Sequence, residues 1–457
     1  MSANARMTRG RPGRSFFLCA LFGASGAWAF GSGPAQAAGA VAIVASEAAR
    51  SLGSVAGRSI VVAAPLTSDE PSPRGDELAV EVASLLASRI GGGAQPHPKT
   101  APLAAARAIA GRASALVFVR AAIALGDMRV SVDVYPPMAN AWDRIRDPLP
   151  APTAHAFATA KIDAEVRAFL PALLLEQASV GRFRHDEGDV IAAACGDVDG
   201  DGGNELVVVS RTRVTLGRLR GGAFVANRAA LWSALAAPAP VPMREPLGGA
   251  VIADGRVYVG STDYGSLSLG PDLEIGAPLA GLPAWGGEQG LVCLNAEPSA
   301  GAFDGAPIYC ALSRDPKLVM AVPAPRFDAF AAASLVGVDG AGMSVLVLRE
   351  PSGKVRFRVG GELAVPDETF GAQIVVGDLD QDGRPDLVTT RDGPDDAITI
   401  HHVDPTTGQT EVVLRTDAPA PIRALAVCPP EVGGAPALVA VVGAEIWLVR
   451  AAHGGDR

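Results

Sequence analysis

Apolar positions follow two unlike patterns along this chain, and the change falls near residue 176. In the first part the spacing shifts about every 10–20 residues. Ser59-Ile60-Val61-Val62-Ala63-Ala64 is a β-like run stopped by Pro65. Asp76 to Ile90 sets Leu78, Val80, Val82, Leu85, Leu86 and Ile90 at spacings compatible with a helix, and Gly91-Gly92-Gly93 ends it. Ala101–Ala113 predicts a second, Ala-rich helix. Ala115–Arg120 and Met128–Tyr135 predict two strands joined at the turn signal Gly126-Asp127. Ala156–Leu175 predicts a third helix, kinked at Pro171. The order β-α-α-β-β-α predicts a small α/β domain over residues 40–176.

From Arg182 onward the texture is β throughout, and it repeats. Residues 191–209 and 373–388 each read as an apolar strand, an acidic loop and a second apolar strand. Weaker copies keep the strand–loop–strand frame without the acids, one of them running through Asp304-Gly305. The starts fall near 191, 249, 291, 334, 373 and 425. A unit of about 40 residues holding several short strands has the size of a propeller blade. The expected fold is therefore mainly β, a six- or seven-bladed β-propeller over residues 182–457 behind the small N-terminal α/β domain.

The amino terminus reads differently. Arg6, Arg9, Arg11 and Arg14 precede an apolar stretch from Ser15 to Phe30, and Ala35-Gln36-Ala37 follows. A basic start, a short apolar core and an A-x-A site predict a signal peptide over 1–37, and so a periplasmic or secreted protein. An uncleaved anchor is the competing reading, though the run is shorter than the roughly 20 residues that span a bilayer. Cys19 lacks the small residues of a lipobox before it. No transmembrane segment is expected in the mature chain. Removing 1–37 takes away four arginines and no acid, so the net charge moves from −9 to −13. Such an acidic chain is not expected to bind nucleic acid. Gly (53) and Pro (36) are frequent enough to exclude a fold of long helices.

The two acidic loops carry the candidate chemistry. Both follow D-x-D-x-D-G-x-x-[DE], with carboxylates at alternate positions and a Gly after the third. Hard oxygen donors at this density suit Ca²⁺, which takes six to eight of them. In the first loop the ligands would be Asp197, Asp199, Asp201 and Glu205, with the Gly203 carbonyl. In the second they would be Asp378, Asp380, Asp382 and Asp386, with the Arg384 carbonyl. An EF-hand is excluded, because its twelfth position needs a bidentate Glu and holds Val208 and Thr389 here. The flanks are also strand-like. An ion-free acidic turn is the bland alternative, but four acids within nine residues repel unless something neutralises them.

These segments resemble the FG-GAP/VCBS repeats of integrin α-subunit propellers and of many secreted bacterial proteins. Phe370-Gly371 supplies that family's leading pair before the second loop. The resemblance implies that each loop joins the first two strands of a blade and holds a structural Ca²⁺. Two positions depart from the pattern: Glu205 replaces the usual Asp, its longer arm loosening the site, and Gln381 replaces a common Gly. The blades without the acids should bind no metal. Residues 59–135 resemble the N-terminal module of TolB-like envelope proteins, which implies a protein-interaction domain in the periplasm.

No G-x-S-x-G, H-E-x-x-H, P-loop or C-x-x-C pattern is present. His401-His402 reads as a strand-end pair, Asp392, Asp395 and Asp396 as a solvated turn, and His185-Asp186-Glu187 as surface. Cys195, Cys293 and Cys428 fall at matching places on the first strands of their units, with Cys310 on the next strand after Cys293. Bridges Cys293–Cys310 and Cys195–Cys428 are both open, the second joining the first and last blades. Small buried thiols are the plainer reading. The expected role is a non-enzymatic binding or scaffold module for a protein or glycan in the cell envelope. The alternative is a propeller-associated hydrolase or polysaccharide lyase.

Overall fold

The first sheet along the chain lies between residues 59 and 161 in a computed structural model. It describes residues 38–454 apart from 56, 112–113, 138–140, 147–149, 241–244, 288–289, 298–301, 304–306, 311–325, 360–361, 367, 394, 405 and 432–433. The targeting segment read at 1–37 and the Asp304-Gly305 turn lie outside the described residues.

Ser59–Ala63 pairs in parallel with Ala115–Ala124 on one side and with Gln95–Pro96 on the other. Ala115–Ala124 then runs antiparallel to Asp127–Tyr135, and that strand to Ala154–Lys161. Two helices cover one face: Gly75–Ile90, as the spacing predicts, and Ala40–Leu52, which the pattern did not single out. The second of these buries Val41, Val44, Ala45 and Ala48, the i, i+3, i+4, i+7 stripe of a core-facing helix. Its first amides are capped from afar: Ala40 N donates to Asp163 Oδ2 at 2.6 Å and Val41 N to Glu165 Oε2 at 3.1 Å. The third helix, Leu103–Ala110, packs on the opposite face.

Residues 156–175 are not a helix. They form the strand Ala154–Lys161, one helical turn Ala164–Arg167, and the start of a twelve-residue strand, Leu173–Arg184. The spacing of Leu173, Leu174 and Leu175 suits either element, and tertiary pairing decides it. Leu173–Arg184 runs antiparallel to Glu445–His453 near the carboxyl end, with Val180 opposite Val449 and Arg182 opposite Trp447. The Arg182 guanidinium lies 4.5 Å from the centre of the Trp447 ring. The propeller's sheets therefore begin at residue 173, ahead of the boundary read at 182.

Among the described residues, six sheet units follow one another. Their innermost strands are Val190–Gly196, Gly248–Ala253, Leu282–Gly287, Ala329–Val336, Ile374–Gly377 and Ile422–Cys428. Each lies against the next, and the last lies against the first, so the ring closes. The fold is a β-propeller. In the third unit the first strand is Leu282–Gly287, and the run at 291 is the second. Pro283 and Gly286-Gly287 hide that strand from a propensity reading. The inner strands pack closely because they carry small residues: a Cβ on Gly249 would lie 2.3 Å from the Pro283 carbonyl oxygen. They surround a central cavity of about 840 Å³ lined by residues such as Ala192, Ala194, Gly249 and Ala331. No helix among the described residues is long and apolar enough to cross a membrane.

Both cysteine pairs are bridged, which replaces the reading of buried thiols. Cys195–Cys428 links the inner strands of the first and last units, 233 residues apart in sequence. Cys293–Cys310 ties two neighbouring strands of the third unit. Two acidic turns are also less exposed than their composition predicts. Asp396 is buried and accepts N–H bonds from Arg391, Asp392, Ala397 and Ile422. Glu187 is buried against Arg213, with the Arg213 Nε donating at 2.7 Å.

Residues 36–457 form one compact unit, and the α/β sheet is fastened to the propeller at the second acidic loop. Gln381 is the fastener. Its Nε2 donates to the Ile162 carbonyl at 2.8 Å, and its Oε1 accepts from Arg167 Nε at 3.3 Å. Arg167 continues to Glu70 at 2.9 Å. Gln381 holds a left-handed φ of 57° while being 4% exposed, a strained conformation that side-chain bonds offset.

Removing the Cys195–Cys428 bridge should cost roughly 2–5 kcal/mol, because it frees a very long loop in the unfolded chain. Denaturant unfolding of Cys195→Ser should therefore show a larger loss than Cys293→Ser, whose bridge spans 17 residues. At the junction, Gln381→Ala should cost about 1–3 kcal/mol, since the Ile162 carbonyl and Arg167 lose a buried partner while the backbone strain stays. Gln381→Gly should cost less, because glycine removes the strain.

Candidate metal centre

The two acidic loops are built alike. In each, an inner strand ends, the chain turns on glycines, and the second strand opens with the ninth-position acid. The first acid folds back on the turn. Asp197 accepts from the Gly200 and Gly202 amides at 2.7 and 2.9 Å, and Asp378 from Asp382 and Gly383 at 3.0 and 3.1 Å. The ninth acid reaches the second position: Glu205 accepts from Val198 N at 2.8 Å and Asp386 from Leu379 N at 2.6 Å. The fifth acid accepts from the seventh amide, Asp201 from Gly203 and Asp382 from Arg384. Gly383 is needed twice over, for its φ of 82° and because a Cβ there would lie 2.9 Å from the Val338 amide.

What faces the carboxylates differs. In the first loop Arg218, on the strand Arg213–Arg220, reaches across. It bonds Glu205 through Nε and Nη2, Asp201 through Nη1 at 2.8 Å, and Asp199 through Nη2 at 3.2 Å. The guanidinium is mostly buried and supplies the positive charge itself. It holds the Asp201 carboxyl below its ordinary range, and the acids in turn raise the Arg218 pKa. Asp197, Asp199 and Glu205 also lie close enough together to hold an ion, so what sets the first loop apart is the arginine that faces it. Asp199, Asp201 and Glu205 already share a cation of the chain's own. The longer arm of Glu205 does not loosen this loop; it spans both the Val198 amide and Arg218.

Among the described residues, no arginine reaches across the second loop. Arg384 bonds Asp382 alone, through Nε at 2.7 Å, with its side chain half exposed. Asp386 is fully buried, and its Oδ1 has no hydrogen-bond partner. Burial, then the neighbouring Asp382 and Asp380, push the Asp378 carboxyl up to about 8. Burial and Asp380 push Asp386 up as well. One donor atom each from Asp378, Asp380 and Asp382 lies within 4.8 Å of the others, a spacing suited to one ion.

The loop motif does not contain the nearest base. His402 sits inside the strand Ala397–Val403, directly opposite Asp386 in the register. Its Nε2 lies 3.2 Å from Asp380 Oδ2 and 3.3 Å from Asp386 Oδ1, the second without hydrogen-bond geometry. The hydrogen bond with Asp380 raises its pKa. The strand-end reading of the pair is thus corrected. Only His401 points elsewhere, edge-on to Phe370 and 3.3 Å from Thr389 Oγ1. In the first unit Gly217 pairs with Leu206, so one residue further places Arg218 opposite Glu205. Arg218 and His402 therefore occupy the same place on the third strand of their units. A basic residue 13 or 16 positions after the ninth acid was the signal that could have found them.

Residues 370–412 match the family model of the FG-GAP repeat, a span holding Phe370-Gly371, the second loop and His402. No curated protein matches the chain. Among solved structures it is similar to the WD40 repeats of RRP9 at 10% identity and a TM-score of 0.34, over 61% of this chain and 99% of that one. It is similar to BBS1N, solved in complex with ARL6DN, at 11% and 0.31, over 59% and 97%. BamB from Moraxella catarrhalis is similar at 12% and 0.29, over 57% and 85%. At such scores the fold rests on the chain's own ring of sheets. Residues 370–412 are similar to an FG-GAP repeat and lie in a β-propeller.

Proposed function

We propose that this chain is an exported, non-enzymatic β-propeller that acts as a binding or scaffold module for a protein or glycan in the cell envelope, with one structural Ca²⁺ at residues 378–386. One observation carries the metal reading: Asp386 is fully buried with no hydrogen bond to Oδ1, among three further carboxylates, and among the described residues only His402 faces it. A buried carboxylate group of this kind is costly without a counter-charge. Asp378, Asp380, Asp382 and Asp386 would hold the ion, with the Arg384 carbonyl. The ion would supply positive charge and a fixed turn. Because Gln381 of the same loop fastens the α/β sheet, a fixed turn also fixes that junction. The junction supports a scaffold reading, since its hydrogen bonds hold the α/β part against the propeller.

With a dissociation constant of about 0.1–1 mM and Ca²⁺ near 1 mM, the ion contributes roughly 0.4–1.4 kcal/mol. Calcium should therefore raise the melting temperature by about 0.5–1.5 °C over a chelated sample. Asp386→Asn should abolish that rise and Asp201→Asn should leave it intact. A melting curve unchanged by chelation would overturn the reading.

The pH dependence follows from Asp378. Its folded carboxyl titrates near 8, above the unfolded value of about 3.9. The fold thus favours the protonated form, and that stability is complete below about pH 4 and lost as pH rises towards 8. Chelated protein should weaken across this window in denaturant titrations, and saturating Ca²⁺ should flatten the slope.

A further inference from the structure

The position opposite the ninth acid decides what fills each loop. In the first unit it is an arginine, which ends in donors only and replaces an ion. In the second it is His402, whose ring nitrogen can donate a lone pair to one. His402 Nε2, Asp380 Oδ2 and Asp386 Oδ1 lie at the corners of one buried cluster, with separations of 3.2 and 3.3 Å from the nitrogen. Neighbouring donors of a six-coordinate ion with bonds of about 2.1–2.3 Å stand about 3.0–3.3 Å apart. Asp380 and Asp386 have side chains 7% and 0% exposed, His402 13%, so water is nearly excluded from this corner. The Oδ1 of Asp386, which has no hydrogen bond, lies 3.3 Å from the ring nitrogen.

We propose that His402 is itself a metal ligand, so that the second loop is a mixed oxygen–nitrogen centre holding Mn²⁺ in preference to Ca²⁺. Calcium seeks oxygen donors, whereas imidazole suits first-row divalent ions, and Mn²⁺ accepts carboxylate and imidazole together. Asp378 and Asp382, which with Asp380 form the adjoining group of three acids, would complete the oxygen side together with the Arg384 carbonyl. This inference rests on the reading that loop 378–386 holds a divalent cation, and it changes which cation fits best.

The test is Mn²⁺ and Ca²⁺ binding to the full chain. Free Mn²⁺ is followed by its paramagnetic resonance signal and Ca²⁺ by competition, while pulsed spectra of bound Mn²⁺ are searched for ¹⁴N coupling. The expected result is one Mn²⁺ site at least about tenfold tighter than Ca²⁺, with nitrogen coupling present. His402→Gln should erase the coupling and weaken Mn²⁺ about tenfold or more, leaving Ca²⁺ within about threefold. His402→Asn serves if His402→Gln fails to fold by circular dichroism. Bound Mn²⁺ without nitrogen coupling, or a Mn²⁺/Ca²⁺ ratio unmoved by either variant, overturns the role of His402 while calcium binding stands. Neither ion binding to the wild-type chain overturns both readings.

Discussion

A ring of sheets is stable only if its ends meet, because an open end leaves a row of unpaired backbone groups. Here the meeting is made by Leu173–Arg184, which leaves the α/β sheet and pairs with Glu445–His453 as the outer strand of the last unit. Everything later in the chain depends on it. The strand fixes where the first unit begins, and its Arg184 also bridges to Ala223 of that unit. Cys195–Cys428 locks the same seam at the inner strands. Ring closure is thus held on its outer and inner sides by different chemistry, ladder bonds outside and a covalent bond inside.

The two acidic loops show how one frame accepts two solutions to the same electrostatic problem. Each gathers four acids in nine residues and uses backbone amides to orient them. Amides orient these carboxylates, and the two loops place different bases beside them. The first unit grows one from its third strand, Arg218. The second offers His402 at the equivalent place, 3.3 Å from an Asp386 Oδ1 that has no hydrogen bond. The second loop also faces the α/β part, where Gln381 replaces a common glycine and turns a strained position into a fastening. The acidic turn and the junction are therefore one and the same segment.

Local features were legible in the sequence, and long-range ones were not. The loops were legible because D-x-D-x-D-G-x-x-[DE] places every relevant acid within nine residues. The propeller was legible from the repeat, and the ring-closing cysteine pair was among the options the repeat allowed. The strand Leu173–Arg184 was not, because three leucines in a row fit a helix as well as a strand and the partner lies more than 260 residues away. Helix Ala40–Leu52 was missed because its cap comes from Asp163 and Glu165, not from its own flank. Arg218 and His402 were missed because they belong to the third strand, and only strand register brings them over the loops.

The central claim is that two loops of one pattern differ in what neutralises them. Anomalous diffraction from crystals grown with Ca²⁺ or Mn²⁺ tests it most directly. The account predicts a single peak, enclosed by Asp378, Asp380, Asp382 and Asp386, and none beside Asp197, Asp199 and Glu205, where Arg218 sits. A peak in the first loop with Arg218 displaced, or no peak in the second, would contradict it.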